Sequence, residues 1–386
     1  MNERIVCLSM CFLLFGVPAS LGEPIPVPQG VNNMIPTPEG TRRIKKRYVM
    51  IPMPKLPFKI DRRLLSHDRP ARKYGKPYQG PMIDVHVHLK SRFQKQTTLE
   101  ALKEVVDGIR DAGVELAVVM PTPNEGRRGG REKHRMHRKL LKELGGKTIK
   151  LMCCGNYAGQ WIHNAYYETY TKKSLDAFLK RLAMDLDSGL YTGVGEFGLY
   201  HFNKSGRQST IRYPPNFEPF VKAVDLIAKR GYWILLHAET VDPQGGSYED
   251  KIFAGIELLY KRNPNLKLIM AHTSTTNPDN VRQMLQRYPN LMIDFKIVKR
   301  LKNWWYTEPV NNAKRELHED WANLFEAMPE RFMVGTDRKF FRRRMDAGKY
   351  KRKNKRSRKV LGTLNPKAAR MIAYENAKRL FGEITP

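Results

Sequence analysis

The stretch "MIDVHVHLK", residues 82–90, joins a continuous apolar run to two histidines placed two positions apart. Side chains at positions i and i+2 of a strand point to the same side, about 6.5–7 Å apart. His86 and His88 can therefore bind one metal ion from a single strand. The run is also rich in Val and Ile, which suits a strand that is buried on both faces, as in a parallel sheet.

Seven further apolar runs follow, and amphipathic helices are predicted between them. The eight predicted strands are residues 82–87, 116–120, 149–154, 193–197, 233–237, 268–271, 291–295 and 332–335. About eight strand–helix units over roughly 300 residues predict an α/β protein, a (β/α)8 TIM barrel with an extended N-terminal arm. An open doubly wound sheet is the alternative, but no Gly-rich phosphate loop follows any of these strands.

The chain is predicted to have three parts. Residues 1–22 have the charged start, apolar run and small final residues of a signal peptide, so we expect a secreted or periplasmic protein without a transmembrane segment in the mature chain. Residues 23–80 form an arm rich in proline and basic residues, and residues 81–386 form the barrel, with a basic insertion at 338–360. Cys153 and Cys154 are expected to be buried small apolar residues that do not bond to each other.

The charge balance is strongly basic. Lys and Arg number 69 against 38 Asp and Glu, which gives a formal net charge of +31. Residues 338–359, "RKFFRRRMDAGKYKRKNKRSRK", are predicted to form a loop that leaves the barrel on its catalytic face. Such a loop would attract a small anionic substrate, or would contact a polyanion or nucleic acid. A solvated basic insertion without a ligand is the third interpretation.

The carboxyl ends of barrel strands share one face, where barrel enzymes carry their chemistry. Six side chains with metal-ligating atoms stand at predicted strand ends: His86, His88, Glu196, His237, His272 and Asp337. Imidazoles and carboxylates are common ligands of divalent ions, and a site with an open position can also bind water. Their joint occurrence predicts a metal centre.

The motifs "IDVHVH", "GTD" and the closing "YENAKRLFG", with one histidine after each of strands five and six, resemble the amidohydrolase superfamily. The most similar group is the amidohydrolase-related (amidohydrolase 2) family, over residues 82–382. The resemblance implies a metal-dependent barrel enzyme in which His86, His88, His237 and Asp337 bind a divalent metal. It implies that His272 is a second-metal ligand or polarises the substrate.

The segment "GEFGLY", residues 195–200, is also similar to TatD-type metal-dependent hydrolases. That secondary resemblance implies that Glu196 bridges two metals. One or two ions are therefore expected, and zinc is the expected element.

The expected function is that of an exported metal-dependent hydrolase, which cleaves a C–O or C–N bond with metal-activated water. Asp337 would accept and return the proton, and His272 would stabilise negative charge that develops on oxygen. A metal-dependent decarboxylase (lyase), a TatD-like nuclease or phosphodiesterase, and a non-catalytic polyanion-binding protein are the alternatives. The sequence does not identify the substrate or the oligomeric state.

Overall fold

A computed structural model describes residues 34–35, 42–43, 49–62, 69–89, 99–123, 147–202, 210–242, 244–298, 309–340 and 343–382. The predicted signal peptide, residues 1–22, lies outside the described residues. The chain divides into two units, Met1–Arg47 and Tyr48–Pro386. In the first unit, the short strands Met34–Ile35 and Arg42–Arg43 pair antiparallel. Within the part of the chain described above, no helix is long and apolar enough to cross a membrane.

Eight parallel strands form the centre of the second unit. They are β1 Ile83–Leu89, β2 Leu116–Met120, β3 Ile149–Cys154, β4 Gly193–His201, β5 Trp233–Ala238, β6 Leu268–Met270, β7 Leu291–Phe295 and β8 Phe332–Val334. Each strand pairs in parallel with the next one in the chain. The predicted (β/α)8 class is confirmed, and the predicted bounds of β2, β3 and β7 are the observed ones.

The sheet closes through an interruption in its last strand. β8 pairs with β7, and the chain then continues as a second short strand, Arg338–Phe340, which pairs in parallel with β1. The carboxylate of Asp84 holds the intervening segment. Its Oδ1 accepts from the backbone N–H of Thr336 at 2.9 Å, and its Oδ2 accepts from the hydroxyl of the same residue at 2.6 Å. Asp84 is fully buried and also accepts from the backbone N–H of His86 at 3.2 Å, so it ties β1 to the end of β8.

Helices cover the outside of the sheet. They are α1 Leu99–Asp111, α2 Gly155–Tyr167, α3 Lys172–Leu186, α4 Glu218–Lys229, α5 Glu249–Arg262, α6 Pro278–Arg287, α7 Glu319–Ala327, α8 Arg343–Leu361, α9 Pro366–Arg370 and α10 Asn376–Phe381. Their apolar sides build the core; α4, for example, buries Phe220, Val224 and Ile227. A 3-10 turn, Ala271–Thr275, follows β6 directly.

The basic segment after β8 is mostly helical. Residues 343–361 form α8, so the prediction of a loop at these positions is wrong. Tyr350, Asn354, Ser357 and Leu361 recur at helical spacing and are buried, which fixes this side of the helix against the barrel. The exposed side carries Lys349, Lys351, Arg352, Lys355 and Lys359. Contact of this segment with a polyanion stays a prediction.

Residues 49–62 and 69–80 of the predicted arm lie on the barrel. The backbone N–H of Ile51 donates to the carbonyl of Asn216 at 2.9 Å, and that of Asp61 donates to the side chain of Asn280 at 2.8 Å. The short strand Ala71–Arg72 pairs with Leu317–His318 just before α7. Residues 49–62 and 69–80 therefore contribute hydrogen bonds to the unit that contains the barrel.

Cys153 and Cys154 are buried, as expected, but they form a disulfide with each other, so the expectation of unbonded thiols is wrong. Successive side chains of an extended strand point to opposite faces, which would keep two neighbouring thiols apart. The chain instead turns from β3 into α2 at Cys154, whose φ of 71° is in the left-handed region. That turn brings the two sulfur atoms together.

Asp84→Ala is expected to destabilise the protein strongly. It leaves three buried donors without their acceptor, at roughly 1–3 kcal/mol for each. Asp84→Asn keeps one acceptor oxygen and the side-chain volume, so it should cost only about 1 kcal/mol. Urea unfolding of the two variants measures the difference. Equal stabilities of Asp84→Ala and the unchanged protein would contradict this account of sheet closure.

Candidate metal centre

All six side chains predicted from the strand ends meet at the carboxyl-terminal rim of the barrel. His86 and His88 come from β1, Glu196 from β4 and His237 from β5. The other two, His272 and Asp337, follow β6 and β8. Five of the six side chains are buried, whereas the side chain of Asp337 is 17% exposed. One edge of the cluster is thus open to solvent.

Glu196 lies at the middle of the four histidines. Its Oε1 is 2.6 Å from Nδ1 of His237, 3.6 Å from Nε2 of His86 and 3.8 Å from Nε2 of His272. Its Oε2 is 3.4 Å from Nε2 of His88. One carboxylate therefore faces nitrogen atoms on both sides, as a group that bridges two cations would.

Asp337 completes the ring of donors. Its Oδ1 is 3.2 Å from Nε2 of His88, and its Oδ2 is 3.7 Å from Nε2 of His272. The Nε2 atoms of His86 and His88 are 3.1 Å apart. Ligand atoms that lie about 2.0–2.2 Å from a zinc ion are roughly 3–3.6 Å from one another. The separations of 3.1 and 3.2 Å fall within the range expected of ligands to a shared ion, and that of 3.7 Å lies just above it.

The chemistry of the donors also fits a cation. Three sets of three residues each offer ligand atoms within 4.8 Å of one another: His86–His88–Glu196, His86–His272–Asp337 and Glu196–His237–His272. Nδ1 of the buried His272 ring lies 3.3 Å from Oδ1 of Asp294, whereas its Nε2 makes no hydrogen bond within the described chain. A buried ring nitrogen without a hydrogen bond is costly unless another group, such as a metal ion, binds it. The residues present can therefore hold a divalent metal.

His272 and Asp337 reach the cluster through unusual backbone conformations. Their φ angles are 58° and 50°, in the left-handed region, which costs roughly 1–2 kcal/mol for a residue with a Cβ. Both residues follow a strand instead of lying within one. A left-handed turn at each position lets the side chain point over the rim, and such conformations are typical of functional sites.

Asp294, at the end of β7, holds two of the histidines from behind. Nδ1 of His86 donates to its Oδ2 at 2.8 Å, and the backbone N–H of His272 donates to its Oδ1 at 2.9 Å. A carboxylate that accepts from Nδ1 turns Nε2 toward the other donors of the cluster, where a metal ion would bind it. Gly335 makes room for this carboxylate, because a Cβ at position 335 would lie 2.7 Å from Cγ of Asp294.

Glu239 supports His237 as Asp294 supports His86, with a carboxylate oxygen against one ring nitrogen. Nε2 of that ring lies 3.1 Å from Oε1 of Glu239, while Nδ1 faces Glu196. Oε2 of Glu239 accepts from the backbone N–H of Phe202 at 3.1 Å. With His201 these residues form a fourth set of possible ligands, His201–His237–Glu239.

The sequence reasoning did not identify Asp294 or Glu239, although a signal existed for both. Asp294 is the acidic residue of the apolar run "LMIDF", and Glu239 lies two positions after His237. Both are acidic residues at the carboxyl end of a predicted strand, which is the criterion that selected the six predicted ligands.

The charges of the cluster shift the pKa values of its members. Burial alone would lower the pKa of His86, but Asp294 and Glu196 outweigh it and raise the pKa to about 10. Burial, with the nearby Lys296 ammonium, lowers the pKa of His272 to about 3. Burial alone would raise the pKa of Glu196, but His237 and His86 hold it well below its usual range. Without a metal, the cluster therefore keeps a proton on His86 at neutral pH.

Comparisons with known proteins find a match to one family model and similarity to several solved structures. The family model described as amidohydrolase matches residues 209–382. The chain is similar to an uncharacterised TIM-barrel protein from Bordetella bronchiseptica, with 14% identity, a TM-score of 0.47 and coverage of 78% of this chain and 98% of that one. It is similar to dihydroorotase from Saccharomyces cerevisiae in complex with 5-fluoroorotic acid, with 14% identity, a TM-score of 0.49 and coverage of 78% and 84%.

A third similar structure is 2,6-dihydroxybenzoate decarboxylase complexed with 2,6-dihydroxybenzoate, with 13% identity, a TM-score of 0.43 and coverage of 79% and 99%. A search of curated proteins finds no match. The resemblance to the amidohydrolase-related family is confirmed by the match over residues 209–382. The secondary resemblance to TatD-type hydrolases stays a prediction.

Metal binding is expected to release a proton. His86 must lose the proton that its pKa of about 10 retains, so the apparent affinity for Zn²⁺ should rise with pH up to that value. The expected slope is about tenfold per pH unit between about pH 6 and pH 9. Titration calorimetry in two buffers with different ionisation enthalpies measures the released proton.

The Asp294→Asn variant is compared with the unchanged protein. It removes one of the two negative charges that raise the pKa of His86, so the zinc affinity of the variant should change less steeply with pH. Asp176→Asn, at an exposed position of α3, should keep the original slope. A zinc affinity that is independent of pH in the unchanged protein would contradict the assignment of His86.

Proposed function

We propose that this chain, whose residues 209–382 match the amidohydrolase family, is a metal-dependent hydrolase of a C–O or C–N bond. The observation that carries the proposal is the convergence of six ligand-type side chains from five different strand ends on one open-edged cluster. Such a convergence at the carboxyl-terminal rim of a barrel is typical of an active site.

His86, His88 and Asp337 are the proposed ligands of one divalent ion. His237, which the resemblance assigns to the same ion, shares its set of possible ligands with Glu196 and His272 in the structure, so these three are the proposed ligands of a second ion. Neutral imidazoles and carboxylate oxygens suit zinc, which is the ion we propose. A bound divalent ion would lower the pKa of a water molecule and polarise the bond to be cleaved.

The protein's own groups divide the remaining tasks. Burial alone would raise the pKa of Asp337, but Lys296 and Lys339 hold it well below its usual range, so this carboxylate is ionised at neutral pH. Asp337 is proposed to accept a proton at Oδ1, the oxygen that faces His88, while Lys296 holds Oδ2 at 2.8 Å. The same group can return the proton to the leaving atom.

His272 is proposed either to bind a second ion or to face the polarised oxygen of the substrate. Its low pKa keeps the ring neutral, so it can serve as a ligand at neutral pH. The turn Ala271–Thr275 and the bond from its backbone to Asp294 fix its position. The substrate is proposed to be anionic.

The protein is also proposed to be exported. Residues 1–22 have the features of a signal peptide. The Cys153–Cys154 disulfide supports the same proposal, because disulfides persist mainly in oxidising compartments.

Amino-terminal sequencing of the protein produced in its own cells tests export. The expected mature chain begins close to Glu23, after the small residues Ser20 and Gly22. A chain that retains residues 1–22 in the cytoplasm would overturn the proposal of export, but not that of catalysis.

Asp337→Asn is expected to lower kcat by about 10²–10⁴-fold, because the amide cannot accept the proton. The measurement uses zinc-loaded protein and a panel of lactones, amides, phosphodiesters and aromatic acids. The control is again Asp176→Asn, which should retain full turnover. Full activity of Asp337→Asn with unchanged metal content would refute the role of Asp337.

The panel also separates the alternatives. Release of carbon dioxide from an aromatic acid would identify a decarboxylase, and turnover of a phosphodiester would identify a phosphodiesterase. A protein that binds no metal and acts on no member of the panel would be the non-catalytic alternative.

A further inference from the structure

Three lysines from three different elements surround Asp337. Lys296 follows β7, Lys339 lies in the continuation of β8, and Lys353 comes from α8. Nζ of Lys296 is 2.8 Å from Oδ2 of Asp337, and Nζ of Lys339 is 3.9 Å from Oδ1. Nζ of Lys353 donates to the carbonyl of Thr336, one residue before Asp337. The sequence reasoning assigned this positive charge to the segment at 338–359 alone and did not identify Lys296.

The three lysines are not equivalent. Lys353 is partly buried and its ammonium donates to the carbonyl of Thr336; burial lowers its pKa to about 8, while the charges of Asp337 and Asp84 oppose this effect. It therefore belongs to the framework of the β8 interruption. The side chains of Lys296 and Lys339 are 11% and 23% exposed, and they stand at the same edge as the 17% exposed Asp337. These two ammonium groups border the opening of the cluster.

Lys296 and Lys339 place two positive charges beside the one negative charge of Asp337. Their ammonium groups approach opposite oxygens of that carboxylate, which is also a proposed metal ligand. Glu196 and Asp294 face the histidines. Among the described residues, ammonium groups thus stand at the open edge, and a bound divalent cation would add to their positive charge. A positive edge in a partly buried cleft attracts an anion much more strongly than an exposed lysine does.

We propose that Lys296 and Lys339 form a subsite that binds an oxyanionic group of the substrate, a carboxylate or a phosphoryl group, beside Asp337. Lysine suits this task because its ammonium is a compact charge with three donors on a flexible stem. Two lysines on one edge can share the oxygens of such a group while the neighbouring bond faces the metal centre. The proposal rests on the proposed function, since it places part of the substrate next to that centre.

A competing explanation is that Lys296 only neutralises and positions Asp337. The two explanations differ in the effect of Lys296→Met on zinc binding. A residue that binds the substrate anion is a nearby positive charge for the metal, so its removal should leave the zinc affinity unchanged or raise it. A residue that only positions a metal ligand should lower the zinc affinity when it is removed.

The test is titration calorimetry of metal-free and zinc-loaded protein with two probes, malonate and inorganic phosphate, at low salt. The variants are Lys296→Met, Lys339→Met, the charge-retaining Lys296→Arg, and Lys267→Met as the matched control. Lys267 is exposed and immediately precedes β6, at the opposite end of the barrel. The probe that binds more tightly identifies the group as carboxylate or phosphoryl.

Lys296→Met and Lys339→Met are each expected to weaken the better probe about tenfold, since each removes one charge-assisted contact. Lys296→Arg should restore most of the binding, Lys267→Met should change nothing, and Lys296→Met should not weaken zinc binding. The proposal is overturned if neither probe binds the unchanged protein at millimolar concentration, if Lys296→Met and Lys339→Met bind both probes normally, or if Lys296→Met loses zinc affinity.

The titrations of metal-free protein show whether the anion subsite and the proposed metal-dependent function fail together or independently. Lysine-dependent probe binding without any zinc binding would leave the subsite standing and refute the metal-dependent hydrolase. Zinc binding without lysine-dependent probe binding would refute the subsite and leave the metal-dependent hydrolase standing.

Discussion

The buried carboxylate of Asp84 is the constraint on which the rest of the barrel depends. The eighth strand pairs with its two neighbours through two short segments, Phe332–Val334 and Arg338–Phe340. Asp84 binds the backbone and hydroxyl of Thr336 between the two halves. This contact closes the sheet, and it also sets the position of Asp337 one residue later. Closure and the position of Asp337 are thus consequences of a single set of hydrogen bonds.

The candidate metal centre is held in place by carboxylates that hydrogen-bond to its histidines. Asp294 orients His86 and His272, and Glu239 orients His237. Buried charges of this kind are tolerated only when opposite charges and hydrogen bonds compensate them. Here the compensation comes from neighbouring elements of the sheet, so the cluster is stable only in the closed barrel. The edge around Asp337 carries lysines instead. Negative charge therefore lies behind the histidines, and positive charge lies at the edge around Asp337.

Much of this organisation could be predicted from the sequence. Apolar runs gave the strands, and the parallel barrel gave the common face on which His86, His88, Glu196, His237, His272 and Asp337 meet. Asp294 and Glu239 were accessible to the same rule and were not recognised.

Other features depend on tertiary contacts. Lys296 becomes part of the centre only because its side chain reaches a carboxylate 41 residues later in the chain. The sequence pattern does not indicate the helix α8 either, because the basic residues of this segment greatly outnumber the few that are buried. The Cys153–Cys154 bond depends on the turn at Cys154, which no strand pattern indicates.

The close approach of Gly335 to Asp294 links two positions that lie far apart in the sequence. A methyl group at 335 would overlap the carboxylate that supports two of the histidines. During evolution, a larger residue at 335 is compatible with the centre only when position 294 shrinks or moves at the same time. The glycine of the "GTD" motif and the aspartate of "LMIDF" should therefore be inherited as a pair.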